Sequence, residues 1–70
     1  MALREQLERL VDEMVTKGIR YDDAVREFEK KFIAQVLIKA DGNLGKAADL
    51  LGIHRNTLAR KVTEHHLRRW

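Results

Sequence analysis

The 70-residue sequence has no cysteine, no proline and only four aromatic side chains. The lack of cysteine excludes a disulfide framework and a cysteine-type zinc site. Because a chain of this length buries only a modest hydrophobic core, good helical packing and self-association remain as sources of stability. Alanine, leucine, glutamate, lysine and arginine dominate the composition, which favours long helices.

Long hydrophobic runs are also lacking. The longest apolar stretch, FIAQVLI at residues 32–38, is interrupted by Gln35 and is too short to cross a membrane. No signal peptide is recognisable at the N-terminus. We therefore expect a soluble cytoplasmic protein with no membrane partner.

Side chains that usually carry catalysis or bind metals are sparse. Serine and cysteine are absent, and the threonines are Thr16, Thr57 and Thr63. His65 and His66 are adjacent, so on a helix they point about 100° apart, and we expect both to face solvent near the C-terminus. The GNLG stretch does not follow a strand, so it is not a phosphate loop. The sequence predicts a non-enzyme with no metal site and no cofactor.

Positive charge is concentrated towards the C-terminus. The net charge is +3; residues 1–41 carry eight basic and nine acidic side chains, or −1, and residues 42–70 carry six basic and two acidic, or +4. This excess is the footprint expected of a phosphate-binding surface. A solvated basic tail is the alternative that charge alone leaves open.

Three breaks divide the chain into four predicted helices. They fall at Gly18, at residues 41–43 and at Gly52. The first two helices are predicted over about residues 2–17 and 21–40. A third begins after Asn43, which is a good N-cap, and a fourth covers about residues 55–66. We expect Trp70, beyond the last helix, to pack or to fray.

The first two helices carry more apolar surface than one chain can cover. An apolar stripe along residues 3–14 has heptad spacing, and the second helix is apolar nearly all round from Phe32 to Ala40. The economical solution is a homodimer in which the first two helices of each subunit form a shared four-helix bundle. A monomeric four-helix cluster is the alternative. The predicted interface residues are Leu7, Leu10, Met14, Phe28, Phe32 and Val36.

Residues 42–61, GNLGKAADLLGIHRNTLARK, have the pattern of a helix-turn-helix. Ala47 and Ala48 are small enough for a second helix to cross closely over them, and Gly52 supplies the turn. Leu58 lies on the inner face of the last helix. The polar N-terminal end of that helix would then be free to enter a major groove. A plain helical hairpin with a solvated polar face is the alternative.

The outward face of the last helix suits nucleic acid in charge and chemistry. No acidic residue occurs over residues 50–63. Arginine can donate two parallel hydrogen bonds to guanine, and Asn, Thr and His side chains can bond bases or phosphates. Lys46, at the start of the preceding helix, could reach the DNA backbone. These features favour DNA binding over the solvated hairpin.

The segment EFEKKFIAQVLIKADGNLGKAADLLGIHRNTLARKV, residues 27–62, resembles the Fis-type helix-turn-helix. This family includes the bacterial nucleoid protein Fis and the C-terminal domains of NtrC-type sigma-54 activators. The signature GN…AA…LLGI-x-R-x-TL-x-(R/K)-K is specific beyond a generic helix-turn-helix. The resemblance implies an intertwined dimer whose recognition helices enter successive major grooves of double-stranded DNA, with bending of the DNA.

The resemblance also implies roles for individual residues. Arg55 resembles the family's main base-reading arginine, Thr57 and Arg60 resemble groove and phosphate contacts, and Lys61 resembles a backbone contact. Positions near the backbone at the start of the preceding helix also match. The predicted DNA-binding residues are Asn43, Lys46, His54, Arg55, Asn56, Thr57, Arg60 and Lys61.

Three positions depart from Fis. His54 stands where Fis has Asn, Ala59 where Fis has a basic residue, and Gly45 where Fis has a hydroxyl residue. The HRNTL form is closer to the activators than to Fis itself. The first two departures remove or alter DNA contacts, so we expect modest sequence specificity.

We therefore expect an all-α fold of one compact domain. Residues 1–41 would form the dimerisation helices and residues 42–70 the helix-turn-helix. The expected function is that of a homodimeric Fis-like DNA-binding protein that regulates bacterial transcription or organises the nucleoid, with the 54–64 helix in the major groove. The alternative is a helical protein-interaction module, carried by residues 1–26, that docks on a larger transcription activator or polymerase.

Overall fold

The computed structural model describes residues 2–67, which form four α-helices and no strand. The helices are α1 (Ala2–Thr16), α2 (Tyr21–Lys39), α3 (Leu44–Leu51) and α4 (Arg55–Glu64). The predicted all-α fold is confirmed. The prediction for Trp70 lies outside the described residues. Over the part of the chain that is described, no helix is long and apolar enough to cross a membrane.

All four helices end with the same pair of backbone hydrogen bonds, the Schellman motif. At the end of α3, Ile53 N–H donates to Ala48 O at 3.1 Å and Gly52 N–H donates to Asp49 O at 3.2 Å. At the end of α4, the first of these bonds has its equivalent between Leu67 N–H and Val62 O. Every helix therefore ends in a tight reversal of the chain rather than in a flexible linker.

The left-handed residue of each motif is a glycine in α1 and α3 but not in α2 and α4. Gly18 and Gly52 have φ of 75° and 72°, whereas Asp41 and His66 have φ of 53° and 54°. Of the two ends predicted for the last helix, residue 64 is confirmed and about residue 66 is wrong, because α4 ends at Glu64. A histidine in the left-handed conformation is uncommon, so the pattern of residue types did not show this break.

The hydrophobic core joins the second half of α2 to α3 and α4. Leu37 from α2 and Leu58 from α4 are completely buried, and the small Ala47 of α3 is completely buried as well. The small side chain lets the helices approach closely, as the sequence predicts. The remaining buried residues are Ile33, Ala40, Ala48 and Val62. Because α2 supplies part of this core, the last turns of α2 pack as part of the helix-turn-helix unit.

Helix α1 contributes no buried residue to the core. Its apolar stripe stays in solvent, with Leu7 and Leu10 each 50% exposed. The outer face of α2 is similar, since Phe28 is 54% and Phe32 50% exposed. A single chain therefore leaves an extended apolar surface on its first two helices without a cover.

Candidate nucleic-acid interface

Helix α4 begins at a cap made by a histidine. The Nδ1 atom of His54 accepts a hydrogen bond from the backbone N–H of Asn56 at 3.0 Å. Because Nδ1 is the acceptor, the neutral ring carries its proton on Nε2, which points away from the first turn of the helix. Sequence reasoning missed this cap, since the preferred N-cap residues are Ser, Thr, Asp and Asn.

The first two turns of α4 present polar and basic side chains to solvent. His54, Arg55 and Asn56 are exposed, as is Arg60 one turn further along, and Thr57 is half-buried. The opposite side of the helix is held in the core by Leu58 and Val62. A helix fixed from behind can offer these side chains to a groove without first being ordered.

The other predicted DNA contact lies at the start of α3. The side-chain oxygen of Asn43 accepts a hydrogen bond from the backbone N–H of Lys46 at 3.0 Å, which confirms Asn43 as the N-cap. The Lys46 side chain is exposed. A cation at the N-terminal end of α3 is well placed to meet a phosphate, because the helix dipole is positive at that end too.

Lys61 lies on a different side of α4 from the exposed face. Its Nζ is 2.9 Å from Oε2 of Glu29 on α2, and its side chain is only 28% exposed. A DNA contact by Lys61 stays a prediction, and in the free chain it would require the ammonium group to leave this carboxylate.

His65 is not the solvent-facing residue that the sequence suggested. Its Nε2 lies 2.6 Å from Oε1 of Glu29, and its side chain is only 8% exposed. The expectation holds for His66, which is exposed. The physical reason is the position of Glu29, which sequence reasoning did not single out because 36 residues separate it from His65.

The pKa of Glu29 is lowered from its ordinary value of 4.5. The hydrogen bond to His65 has the largest effect, followed by the hydrogen bond to Lys61, while partial burial acts in the opposite direction. Both favourable effects stabilise the carboxylate form. Glu29 is therefore an anion held between two groups of α4.

The predicted interface residues lie on the uncovered faces of α1 and α2. The rings of Phe28 and Phe32 are 5.5 Å apart and line apolar clefts along α2. Met14 is partly buried, and Val36 is partly buried against the core of its own chain. The structure thus brings apolar residues of the predicted set to the surface, and their role as an interface stays a prediction.

No group of three His, Asp or Glu side chains within residues 2–67 is placed to hold a metal ion. The histidines of the site have other contacts: His54 caps α4 and His65 bonds to Glu29. The arrangement of the site is therefore one of hydrogen-bond donors and cations on a helix end.

Comparison with known families decides the class of this chain. Residues 24–65, which cover the end of the first turn of α2 through α4, match the family described as "Bacterial regulatory protein, Fis family". The chain belongs to the Fis family. The match includes every predicted DNA-binding residue, while α1 lies outside it. The family is one of regulatory proteins rather than of enzymes.

Relatives of the chain fall into two groups of the same family. It is 45% identical over 47 residues to a Fis-like DNA-binding protein of Xylella fastidiosa, with 67% of this chain and 52% of the relative covered. It is also 43% identical over 53 residues to the DNA-binding transcriptional regulator NtrC of Azospirillum brasilense, with 76% of this chain and 11% of the relative covered.

A second Fis-like DNA-binding protein, from Neisseria meningitidis, is 38% identical over 47 residues, covering 67% of this chain and 60% of that relative. The chain thus spans about half the length of the small Fis-like relatives and a small part of NtrC. No solved structure is significantly similar to it.

Proposed function

We propose that this chain is a homodimeric DNA-binding protein that regulates bacterial transcription and acts in the cytoplasm on the nucleoid. The observation that supports DNA binding most directly is the exposed N-terminal end of α4, where His54, Arg55 and Asn56 have no carboxylate partner among residues 2–67 while Leu58 holds the helix from behind. Relatives whose names include DNA binding match over this region.

In the proposed complex α4 lies in the major groove of double-stranded DNA. Arg55 donates to a guanine edge, which is the commonest specific contact of this kind. Asn56, Thr57 and Arg60 line the groove and its walls, and His54 offers its Nε2–H. Lys46, together with the N-terminal end of α3, binds the phosphate backbone, with Asn43 holding the turn in place.

A dimer is proposed because residues 1–41 leave their apolar surface uncovered. Pairing two chains through Leu7, Leu10, Met14, Phe28, Phe32 and Val36 would bury this surface in a four-helix bundle. Two copies of α4 would then face successive major grooves, as in the Fis-type proteins, where the spacing requires the DNA to bend. Residues 42–67 would act as the reading unit of each subunit.

A gel shift with a random-sequence duplex tests this function. The two exposed cations assigned to phosphate in each subunit, Lys46 and Arg60, would give about four phosphate contacts per dimer, so log K should fall with log salt with a slope of about −4. Strong binding at low salt and its steep loss on adding salt are the expected result. Bending would appear as increased energy transfer between dyes on the two duplex ends.

The same gel shift can also refute the proposal. If no shift occurs at micromolar dimer in low salt, DNA binding is wrong for this chain. That outcome would favour the alternative, a module that docks through α1 on a larger activator or on polymerase.

A further inference from the structure

Glu29 links α2 to the proposed reading helix α4 through both of its carboxylate oxygens. Oε1 lies 2.6 Å from His65 Nε2, and Oε2 lies 2.9 Å from Lys61 Nζ. Within residues 2–67, the hydrogen bonds that join side chains of different helices are these two. The other carboxylate–cation pairs, such as Glu27 with Lys31 at 3.8 Å, join residues one turn apart on the same helix.

The contact is placed where it controls the direction of α4. Lys61 and His65 are four residues apart, so they share one face at the C-terminal end of the helix. Arg55 lies at the other end, roughly 15 Å away along the axis at 1.5 Å per residue. Leu58 and Val62 are buried between the two ends and hold one side of the helix on the core. The Glu29 contact holds the C-terminal end in addition, so its loss would change the angle of α4 and move Arg55 relative to α2.

The contact is charge-assisted, since Glu29 is held as an anion. Its Oε1 lies 2.6 Å from the His65 nitrogen, and a hydrogen bond to an ionised acceptor is roughly twice as strong as a neutral one. Within residues 2–67, the charged groups around the pair are Lys61, bonded to the same carboxylate, and Arg26 and Glu64, which line the same cleft.

We propose that Glu29 is the positioning residue of the reading helix and holds α4 through Lys61 and His65. This rests on the proposed function, because it explains how α4 is aimed at DNA. Glu29 need not touch DNA itself. It sets the angle between α2, which carries the dimer bundle, and α4, so the two copies of Arg55 meet their grooves in register.

The test compares Glu29→Gln with Glu27→Gln in the full chain. Both variants remove one negative charge from α2, so both change general attraction to phosphate alike, but only the first removes an acceptor from Lys61 and His65. The probe is a duplex selected by the wild-type protein from a random pool, measured against random duplex of equal length. The ratio of the two affinities should fall roughly three- to ten-fold in Glu29→Gln. It should stay at the wild-type value in Glu27→Gln.

A double-variant comparison supplies a readout that loss of structure alone would not change. His65→Ala, which removes the donor to Oε1, should lower the affinity ratio as Glu29→Gln does, and the double variant should lose less than the sum of the two, as expected for partners in one contact. His66→Asn should keep the wild-type ratio, since His66 is exposed and Asn accepts its left-handed conformation. A Glu29→Gln variant with the wild-type ratio would overturn the proposal.

Amide hydrogen exchange in the free protein separates this proposal from the function on which it rests. If α4 is held by Glu29, its amides from Leu58 to Glu64 should exchange faster in Glu29→Gln than in Glu27→Gln, whether or not DNA is bound. Equal rates in the two variants would contradict the positioning role. If the wild type selects no duplex at all, the proposed function fails, and these exchange rates still decide whether Glu29 holds α4.

Discussion

Arg55 and Lys46 are both exposed cations. They lie in the first turns of different helices and are expected to make different kinds of DNA contact. Arg55 is the first residue of α4, next to the His54 cap, so its guanidinium can reach base edges. Lys46 lies in the first turn of α3, where an ammonium group meets phosphate as a point charge. We therefore expect Arg55 to read sequence and Lys46 to provide general attraction to phosphate.

Replacing each cation with alanine should separate these two roles. Arg55→Ala should lower the affinity for a selected duplex by about 1–3 kcal/mol per half-site and change random-duplex binding much less. Lys46→Ala should weaken both duplexes alike and reduce the salt slope by about two units per dimer. Titrations of both duplexes at several salt concentrations measure this. Equal loss on both duplexes in Arg55→Ala would remove its role as the base reader.

The family resemblance implies a DNA-backbone contact for Lys61, and from that alone Lys61→Ala would weaken binding to all sequences alike. Its bond to Glu29 changes that expectation. Removing the ammonium group would also leave the Glu29 carboxylate with one donor fewer and loosen α4. Selected and random duplexes should therefore respond unequally to Lys61→Ala, which the same titrations would show.

Glu29 also predicts how stability depends on acid. Since its pKa is lowered in the folded state, its contribution is fully present above the ordinary value of 4.5 and is lost as pH falls through the lowered value. The unfolding free energy of the wild type should therefore decrease below about pH 4.5. Urea titrations at several pH values should show a shallower acid decline in Glu29→Gln, with Glu27→Gln following the wild type. An unchanged decline in Glu29→Gln would show that other carboxylates carry the acid dependence.

At the scale of the helices, the positions where helices begin and end were the feature best predicted from the sequence. Gly18 and Gly52 end α1 and α3 as predicted, and Asn43 caps α3 through its side chain. The reason is local: a left-handed residue or a cap satisfies backbone groups within a few positions of itself. The end of α4 predicted at about residue 66 was misplaced because its left-handed residue is His66, a type that gives no such signal.

Gly45 and Gly52, two of the three glycines of the helix-turn-helix, should respond oppositely to alanine. Gly52 has φ of 72°, so a Cβ there costs roughly 1–2 kcal/mol, even though no atom lies within 4 Å of it. Gly45 lies inside α3, where a Cβ would meet only Asn43 Oδ1 at 3.5 Å, an ordinary contact. Gly45→Ala should therefore stabilise the protein by about 0.5–1 kcal/mol. Thermal or urea unfolding measures both, and a stabilising Gly52→Ala would contradict the Schellman ending.

At the scale of the whole molecule, the four helices contribute unequally to the core and to the exposed apolar surface. Within residues 2–67, the buried side chains come from α2 with its following Ala40, α3 and α4, while α1 has no buried residue and only Met14 is partly buried. This supports the proposed dimer rather than the monomeric four-helix cluster, since α1 gains little burial in the single chain. A partner chain would give α1 and the outer face of α2 the cover that their apolar residues need.

Leu10→Glu should convert the proposed dimer to a monomer, because a carboxylate would have to be buried in the bundle. Leu50→Glu is the matched control: Leu50 on α3 is 60% exposed, against 50% for Leu10, but it lies outside the predicted interface. Sedimentation equilibrium should give a dimer mass for the wild type and for Leu50→Glu. The unfolding midpoint of the wild type should also rise with protein concentration. A monomeric wild type would refute both the four-helix bundle and the proposed binding of two α4 helices in successive major grooves.

Sequence patterns alone were enough to predict the four helices, the alanine-lined crossing of the helix-turn-helix and the acid-free face of α4. Each of these depends on residues a few positions apart, where helical spacing, glycine and capping set the conformation. Even so, the cap made by His54 went unseen, because its residue type is unusual for a local role that the structure shows plainly.

Tertiary structure alone decided which side chains meet across the fold. Glu29 reaches Lys61 and His65, which lie 32 and 36 residues further along, because the core sets where α4 crosses α2. That crossing buries His65 and draws Lys61 away from the exposed face. Within residues 2–67, it also leaves α1 without a buried residue. No local pattern contains this information, since contacts between distant helices follow from how the whole core packs.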